Sequence, residues 1–190
     1  MILLSILIPS IPERIDQLKA VIEKYQSYID KYDLNNGVQI ISFIDNKKIT
    51  IGEKRNMLVS MAAGKYWVMS DEDDQLTEMY FQYFKCLLGK DVDVITYLQS
   101  AQINDDKSTV EFGLNNVNED LIPNGITKRM AWHCCTWRKE AVKEARFAPI
   151  NWGEDDLFAR TANELAKTSY HFPEVCHIYR HDSTKTAAFQ

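Results

Sequence analysis

Short apolar runs alternate with amphipathic segments along most of this chain. A strand is predicted where about four to eight apolar or β-branched residues follow one another, and a helix where apolar residues recur every third or fourth position. By this criterion strands are expected at 2–8, 38–44, 66–70, 92–99, 129–137 and 170–179. Helices are expected at 13–32, 52–63, 77–88, 138–145 and 154–166, and the polar stretch 104–124 is expected to form a loop or hairpin.

Strands that alternate with helices predict an α/β domain with a mostly parallel central sheet and helices on both of its faces. With 190 residues, the chain has the length of one domain with a substantial core. Ligands of such sheets bind beyond the carboxyl ends of the strands. We therefore expect functional residues in the loops that follow the strands.

The overall composition disfavours some classes of protein. The formal net charge of −5 at pH 7 gives no general attraction for nucleic acid, so a nucleic-acid partner would need a local basic patch. No stretch approaches the roughly 18 consecutive apolar residues of a membrane span, because prolines interrupt the apolar start. The four cysteines lack CxxC spacing and are expected to be reduced thiols. We expect a soluble cytoplasmic protein without a membrane span.

A cluster of acidic residues directly follows the third predicted strand. Asp71, Glu72, Asp73 and Asp74 come after the apolar run YWVM, and their like charges repel unless a positive charge lies among them. Carboxylates on a loop at the edge of a sheet suit Mn²⁺ or Mg²⁺, which proteins share with the phosphates of a substrate. The alternative is a solvated acidic turn that stabilises the start of the following helix.

A second acidic motif, NWGEDD, stands at the start of the last predicted helix. Glu154, Asp155 and Asp156 follow Gly153 there. A carboxylate in such a place can act as a general base that takes a proton from a hydroxyl group. Acidic residues in the first turn are also common in helices without a catalytic role, because they interact favourably with the helix dipole.

The segment CHIYRHDST near the C-terminus supplies further candidates for a site. His177 and His181 are candidate metal ligands, although a histidine among apolar neighbours is more often a hydrogen-bonded core residue. The planar guanidinium group of Arg180 can bind two phosphate oxygens at once. The alternative is that Arg180 forms an exposed ion pair with a structural role.

Aromatic residues precede and enter the second acidic motif. The segment AWHCCTW contains His133 together with Trp132 and Trp137, and Trp152 stands directly before the glycine of NWGEDD. Their rings suit stacking on a sugar or a base, and core packing explains the tryptophans equally well. Trp152 is the best placed of them to flank a substrate.

The run IGEKRNMLVSMAAGKYWVMSDEDD resembles the family 2 glycosyltransferases, whose GT-A fold shows an Arg-Asn pair, an Ala-Xaa-Gly turn, a short apolar strand and an Asp-Xaa-Asp (DXD) motif. Here these features fall on Arg55 and Asn56, on 62–64, and on Asp71 to Asp73. SILIPSIPER resembles the family's first strand and nucleotide loop, and NWGEDD its Gly-Glu-Asp element. The small size and the GEKRN and GEDD signatures resemble small glycosyltransferases of bacterial viruses, which would act in the host cytoplasm.

The resemblance implies a single GT-A-like, Rossmann-like domain over 1–190, in which 1–100 binds the donor and metal and 101–190 binds the acceptor and supplies the base. The implied donor is a nucleoside-diphosphate sugar, in the first place a UDP-sugar. The implied metal is Mn²⁺ or Mg²⁺, held by Asp71 and Asp73 with His177 or His181. The residues implied to contact the donor are Pro9, Ser10, Arg14, Asp45, Arg55, Asp71, Glu72 and Arg180.

The reaction implied by the resemblance is a sugar transfer with inversion. Asp155 would remove the proton of the acceptor hydroxyl as it attacks the anomeric carbon, while the metal neutralises the departing diphosphate. Trp152, Glu154 and His133 would contact the acceptor. The acceptor would be a saccharide or glycoconjugate or, as in some viral enzymes, a hydroxymethylated DNA base.

Alternatives to this reaction remain open at the level of sequence. A sugar-nucleotide hydrolase or a nucleotidyltransferase would also use paired acids and a metal, although the chain lacks the Gly-rich first loop with Lys of nucleotidyltransferases. A binding protein would keep the nucleotide-sugar pocket without turnover. A DNA acceptor further predicts a basic groove, which would be formed near Lys47, Lys48, Lys54 and Arg55.

Overall fold

Strands and helices alternate along the folded chain much as the apolar pattern predicts. The computed structural model describes residues 1–104 and 106–181. Its strands are β1 (Leu4–Ser10), β2 (Val38–Ile44), β3 (Tyr66–Met69), β4 (Gln75–Leu76), β5 (Val94–Ile103), β6 (Asp106–Gly113), β7 (Ile126–Met130), β8 (Thr136–Arg138) and β9 (Ser169–His181). Its helices are α1 (Ile15–Lys31), α2 (Ile51–Met61), α3 (Glu78–Gln82), α4 (Phe84–Leu88) and α5 (Glu154–Leu165), and a 3₁₀ turn, Pro12–Arg14, leads into α1.

These strands form one mixed sheet whose longest ladders are parallel. Its order is β2-β1-β3-β8-β5-β6-β7, and β9 pairs with β5 and with the short β4. Strand β1 runs parallel to β2 and β3, with Leu4 opposite Val38 and Tyr66, and β9 runs parallel to β5. The prediction of an α/β domain with a mostly parallel sheet is confirmed. The carboxyl ends of β1, β2 and β3 therefore meet at one edge of the sheet.

Helices cover both faces of the sheet, which is why its central strands read as continuous apolar runs. Alternate residues of β1 point to opposite faces. Ile6 packs in a core with α1, α3 and α4, whereas Leu7 packs in a second core with α2 and α5. The expectation of helices on both faces is thus confirmed. Of the helices that the structure describes, none combines the length and the apolar character needed to cross a membrane.

Side-chain capping fixes the start of helix α2. This start matters because the helix places two cationic side chains in the interior. The Thr50 hydroxyl accepts from the Glu53 amide at 3.2 Å, while the Glu53 carboxylate accepts from the Thr50 amide at 2.9 Å. This reciprocal pair is a capping box, which satisfies backbone donors that the first turn leaves unpaired. Lys54 and Arg55 follow within the next turn, and both are buried.

Two predicted elements are divided in the structure. The helix expected at 77–88 is split at Tyr83 into α3 and α4. The strand expected at 129–137 is interrupted by a turn, because β7 pairs with β6 whereas β8 pairs with β3 and β5. A strand that changes partners has to leave one ladder before it joins the next. The stretch 104–124, expected to form a loop or hairpin, contributes only one strand to the pair, because β6 runs antiparallel to β5, which ends at Ile103.

The helix expected at 138–145 is wrong, because this segment forms a series of turns. Its first residue, Arg138, is extended, because it is the last residue of β8 and pairs with Tyr66 of β3. Arg138 donates its amide to the Asp93 carbonyl at 2.8 Å, and Lys139 donates to the Lys65 carbonyl at 3.0 Å. Pairing with neighbouring strands therefore overrides the helical pattern of the local sequence.

The contact of α2 with the loop before α5 leaves no room for a side chain at Gly52. A Cβ atom there would lie 1.7 Å from the Ala148 carbonyl oxygen, a backbone atom that cannot turn away. We predict that Gly52→Ala lowers the free energy of unfolding by roughly 3 kcal/mol or more, as overpacking of a rigid contact does. Urea unfolding followed by circular dichroism measures this change.

The control is Gly37→Ala, since a Cβ atom at Gly37 would have its nearest neighbour at 3.7 Å. We expect it to change the free energy of unfolding by less than about 1 kcal/mol. Equal stabilities of the two variants would contradict the packing described here.

Candidate active site

A cleft of about 1610 Å³ opens at the carboxyl ends of β1 and β3. It is walled by the loop after β1, the first turns of α2, the loop after β3, the start of α5 and the end of β9. Single-ligand pockets typically have about 300–1,000 Å³, so this cleft has room for two substrates. The predicted site residues among its lining are Pro9, Ser10, Arg14, Arg55, Asp71, Glu72, Asp73, Trp152, Glu154, Asp155 and Arg180.

One buried guanidinium joins the two acidic motifs across the cleft. Arg55 is 4% exposed, and its Nη2 lies 3.1 Å and 2.7 Å from the two carboxylate oxygens of Asp71. Its Nη1 lies 2.6 Å from Glu154 Oε1 and 3.9 Å from Asp155 Oδ2. The loop after β3 and the first turn of α5 are thereby held to the same side chain.

A second arginine neutralises the rest of the acidic loop. Arg14 Nη1 lies 3.0 Å from Glu72 Oε1 and 2.9 Å from Asp73 Oδ2. Burial, followed by the charge of Asp71, still raises the pKa of Glu72 to about 7, and the same two causes raise the pKa of Asp73. The positive charge that this cluster requires is thus supplied in part by the protein's own arginines.

Behind this loop, two side chains keep atoms that have no hydrogen-bond partner among the described residues. Asp74 is 7% exposed and accepts from the Arg180 amide, yet its Oδ1 has no partner. His177 is fully buried, with Nδ1 2.9 Å from Gln99 Nε2, and its Nε2 has no partner at 3.7 Å from Asp74 Oδ2. Burial lowers the pKa of His177 to about 3, so the ring is neutral. Because the Gln99 amide donates to Nδ1, the ring proton is on Nε2 and faces Asp74.

The free oxygen of Asp74 is of the kind that divalent cations take in proteins, and His177 Nε2 becomes such a ligand when the Gln99 amide turns its oxygen toward Nδ1. Within 1–104 and 106–181, no three His, Cys, Asp or Glu side chains converge to form a cage for a metal. Mg²⁺ and similar ions need only one or two carboxylates when substrate phosphates complete the shell. The acidic loop and His177 therefore fit a cation that is bound together with a diphosphate.

Asp45 lies outside the lining of the cleft. Its Oδ1 is 2.5 Å from Lys54 Nζ, and its Oδ2 accepts from the amides of Lys48 and Ile49 at 2.7 Å and 3.2 Å. Lys54 is 1% exposed and also donates to the Ser10 carbonyl at 2.7 Å. In this structure Asp45 fixes Lys54, and through it the loop after β1.

Three groups surround one oxygen of Asp155. Trp132 Nε1 donates to Oδ2 at 3.0 Å, and His133 Nδ1 and Arg55 Nη1 lie 3.3 Å and 3.9 Å from the same atom. Burial opposes the charged form, but His133, Arg55 and the Trp132 N–H outweigh it, so the pKa of Asp155 lies well below that of an ordinary aspartate. Asp155 is therefore an anion on the wall of the cleft.

The mouth of the cleft carries an exposed indole. Trp152 is 92% exposed although it lines the cleft, and it precedes Gly153, whose left-handed backbone (φ 75°) caps α5. Ile150 and Leu157 on either side are about half exposed, at 46% and 50%. An unpacked aromatic ring beside Asp155 is free to stack on a ligand.

The basic groove expected for a DNA acceptor is not formed by the four residues named for it. Lys54 and Arg55 are buried on internal carboxylates, and Lys47 lies 3.4 Å from Glu13. Lys48 alone cannot provide a track for a phosphate backbone. This part of the cleft surface therefore does not favour duplex DNA.

Comparison with known proteins bears on the fold. Neither a protein-family model nor a curated protein sequence matches the chain. The structure is similar to crystal structures of S. aureus TarS, whose fold is GT-A-like. For TarS 1–349 the TM-score is 0.62 at 14% identity, over 94% of this chain and 60% of that chain. The fold is GT-A-like.

Complexes of TarS 1–349 give similar values. The complex with UDP has a TM-score of 0.65 at 14% identity, over 94% of this chain and 60% of that chain. The complex with UDP-GlcNAc has a TM-score of 0.63 at 14% identity, over 96% and 59%. The chain thus spans about 60% of TarS 1–349 and 37% of the longer TarS chain.

The GT-A-like fold brings most of the predicted residues together, with some exceptions. His133 stands behind Asp155 and does not line the cleft, and His177 is buried below the acidic loop. The side chain of His181 lies outside the described residues. Sequence reasoning missed the contact of Trp132 with Asp155, for which no local signal exists because the partners are 23 residues apart. Asp74 belongs to the acidic run that the sequence suggests for a metal, but the resemblance assigns the metal to Asp71 and Asp73 instead.

The raised pKa of Glu72 predicts a pH-dependent stability. The folded state binds this proton more tightly than the unfolded state, so Glu72 makes folding less favourable as pH rises from about 4.5 to about 7. In metal-free buffer, Glu72→Gln should therefore gain stability relative to the wild type between pH 5 and pH 8. Urea unfolding across this range measures the difference.

The control is Glu53→Gln, because the pKa of Glu53 is lowered by its hydrogen bonds to Thr50. Since that carboxyl is already ionised at pH 5, this variant should be less stable than the wild type by a nearly constant amount. A constant difference for Glu72→Gln as well would contradict the described environment of Glu72.

Proposed function

We propose that the chain transfers a sugar from a nucleoside-diphosphate sugar, of the UDP type, to an acceptor hydroxyl with inversion. The observation that carries this proposal is the convergence of the acidic loop and Asp155 on one cleft, linked by Arg55. The GT-A-like fold and the UDP complexes of TarS support the donor class. In this proposal 1–100 contributes most donor contacts and 101–190 the acceptor contacts and the base.

The donor occupies the side of the cleft formed by the loop after β1. Pro9, Ser10 and Arg14 line it there, and Arg180 lines it from the end of β9. Within the described residues, the Arg180 side chain has no carboxylate partner, so its guanidinium is available for diphosphate oxygens. Asp45 acts indirectly in this proposal, because its carboxylate holds Lys54 and the loop after β1.

A divalent cation, Mn²⁺ or Mg²⁺, is part of the proposal. Both oxygens of Asp71 face Arg55, so we assign Asp71 to orienting the arginine. Asp74 and His177 would hold the ion, with diphosphate oxygens completing its shell, while Asp73 pairs with Arg14. When bound, the ion would neutralise charge that develops on the departing diphosphate.

Asp155 is the base in the proposed reaction. The acceptor oxygen forms a bond to the anomeric carbon as its O–H bond breaks, the proton passes to Asp155, and the nucleoside diphosphate leaves with the electron pair of the bond to the sugar. Glu154 cannot take this role in the present arrangement, because it is buried against Arg55. Asp155 also lines the cleft, and its side chain is the more exposed of the two, at 23% against 7%.

The acceptor we favour is a saccharide or glycoconjugate. The exposed Trp152 provides an apolar ring next to the base, on which the C–H face of a sugar can stack. The burial of Lys54 and Arg55 speaks against a hydroxymethylated base in duplex DNA. His133 contributes through Asp155, since it stands behind that residue.

We predict that Asp155→Asn lowers the rate of sugar transfer by roughly 10²–10⁴-fold, as expected for loss of a general base. Binding of UDP should remain, because Asp155 contacts the acceptor side. The measurement is product formation by mass spectrometry with UDP-sugars and a panel of oligosaccharides. Release of free sugar without transfer, in the wild type, would instead identify a hydrolase.

Glu164→Gln is the matched control for this variant. Glu164 lies on the same helix, but it is exposed and does not line the cleft. We expect wild-type transfer from it. Unchanged transfer by Asp155→Asn would remove the proposed base.

The proposed donor and metal site predicts a coupled effect on thermal stability. A ligand that binds only the folded state at about 100 times its Kd adds about 2.7 kcal/mol, so UDP with Mn²⁺ should raise Tm by several degrees. Asp74→Asn and His177→Gln should lose the part of this shift that depends on Mn²⁺. Differential scanning fluorimetry with and without Mn²⁺ measures it.

This experiment tests the cation and the UDP donor separately. An equal shift by UDP with and without Mn²⁺ would contradict the cation, and a complete absence of shift with UDP would contradict the UDP donor.

A further inference from the structure

The segment 131–137 is attached to α5 at both of its ends. At the first end, Asn163 Nδ2 donates to the Ala131 carbonyl at 2.7 Å, and the Ala131 amide donates to Asn163 Oδ1 at 3.3 Å. At the other end, Trp137 packs edge-on against Phe158 with ring centroids 5.7 Å apart. Both partners on α5 are buried or partly buried, so the segment and the helix form one rigid unit.

Within this unit, Trp132 has little freedom to move. Its carbonyl accepts from the Cys135 amide at 2.9 Å, which closes a tight turn. The same carbonyl accepts from Trp137 Nε1 at 2.9 Å, and Trp137 is fully buried. The indole of Trp132 is therefore presented to α5 from a fixed backbone.

The indole N–H meets Asp155 three residues before Phe158 on α5. Trp132 Nε1 donates to Asp155 Oδ2 at 3.0 Å, and His133 Nδ1 and Arg55 Nη1 approach the same oxygen. None of these contacts involves Oδ1. The arrangement thus distinguishes the two carboxylate oxygens: Oδ2 is bound within the protein, whereas Oδ1 takes no part in these contacts, on a residue that lines the cleft.

We propose that Trp132 is a positioning residue whose indole N–H holds Asp155 Oδ2, so that Oδ1 is the atom that accepts the proton of the acceptor hydroxyl. This inference rests on the proposed function, because it assigns a role to Asp155 in sugar transfer. Trp132 itself does not contact the reacting atoms. It fixes the direction in which the carboxylate meets the acceptor, and His133 assists from the same side.

Replacing the indole by a ring without a donor tests this role. Trp132→Phe should lower kcat roughly ten- to a hundredfold, the range expected for loss of a hydrogen bond to a charged group, with an unchanged KM for the donor. Loss of an N–H donor also makes the Asp155 anion less favourable beside Arg55, His133 and Glu154. The acid limb of the kcat–pH profile should therefore move to higher pH.

A conservative variant separates the N–H from the shape of the ring. In Trp132→His the new ring is small, as in Trp132→Phe, but it keeps an N–H donor. This variant should therefore recover part of the kcat that Trp132→Phe loses. Trp67→Phe is the matched control, because Trp67 is fully buried against Phe158 and its N–H has no hydrogen-bond partner. It should leave kcat and the pH profile unchanged whatever it does to Tm.

The outcomes distinguish this inference from the proposed function. A lowered kcat and a shifted acid limb in Trp132→Phe, with recovery in Trp132→His, support the positioning role. If Trp132→Phe behaves like Trp67→Phe while Asp155→Asn is inactive, Trp132 does not position the base. If Asp155→Asn transfers sugar normally, the base assignment itself fails, and the positioning role fails with it.

Discussion

The buried guanidinium of Arg55 is the interaction on which the candidate site depends. A buried charge without partners costs several kcal/mol, and the penalty is offset here because Asp71 and Glu154 lie within hydrogen-bond distance of its nitrogens. These carboxylates come from the loop after β3 and the first turn of α5. The ion pairs form only when both elements are in place, so assembly of the site is coupled to folding of the domain.

The residue after Arg55 keeps the guanidinium in its place. Asn56 exchanges two hydrogen bonds with the backbone of Phe147, at 2.9 Å and 3.0 Å. The Phe147 ring lies 5.6 Å from the Arg55 guanidinium and stacks on Phe158 with centroids 4.5 Å apart. The Arg-Asn pair thus has a structural explanation: one residue carries the charge, and the other fixes the aromatic ring beside it.

The adjacent carboxylates of Glu154 and Asp155 have different roles because their environments differ. Burial raises the pKa of Glu154 even though Arg55 opposes it, whereas donors on one oxygen of Asp155 lower its pKa against the effect of burial. Glu154 is therefore a structural partner of the arginine, and Asp155 is the more exposed of the two in the cleft. Environments that separate two titratable neighbours in this way are typical of acid and base assignments in enzymes.

Local sequence determined two kinds of feature: those whose hydrogen-bond partners are near in sequence, and strands that are buried on both faces. Strand β1, the capped start of α2 and the places of Asp71 and Asp155 at the ends of elements follow from apolar runs, capping residues and the rule for strand ends. Tertiary structure alone decided which cations meet the carboxylates, since Arg14 reaches Asp73 across 59 residues. It also decided that Trp132 binds Asp155, because strand register and side-chain direction, rather than any local pattern, bring such distant groups together.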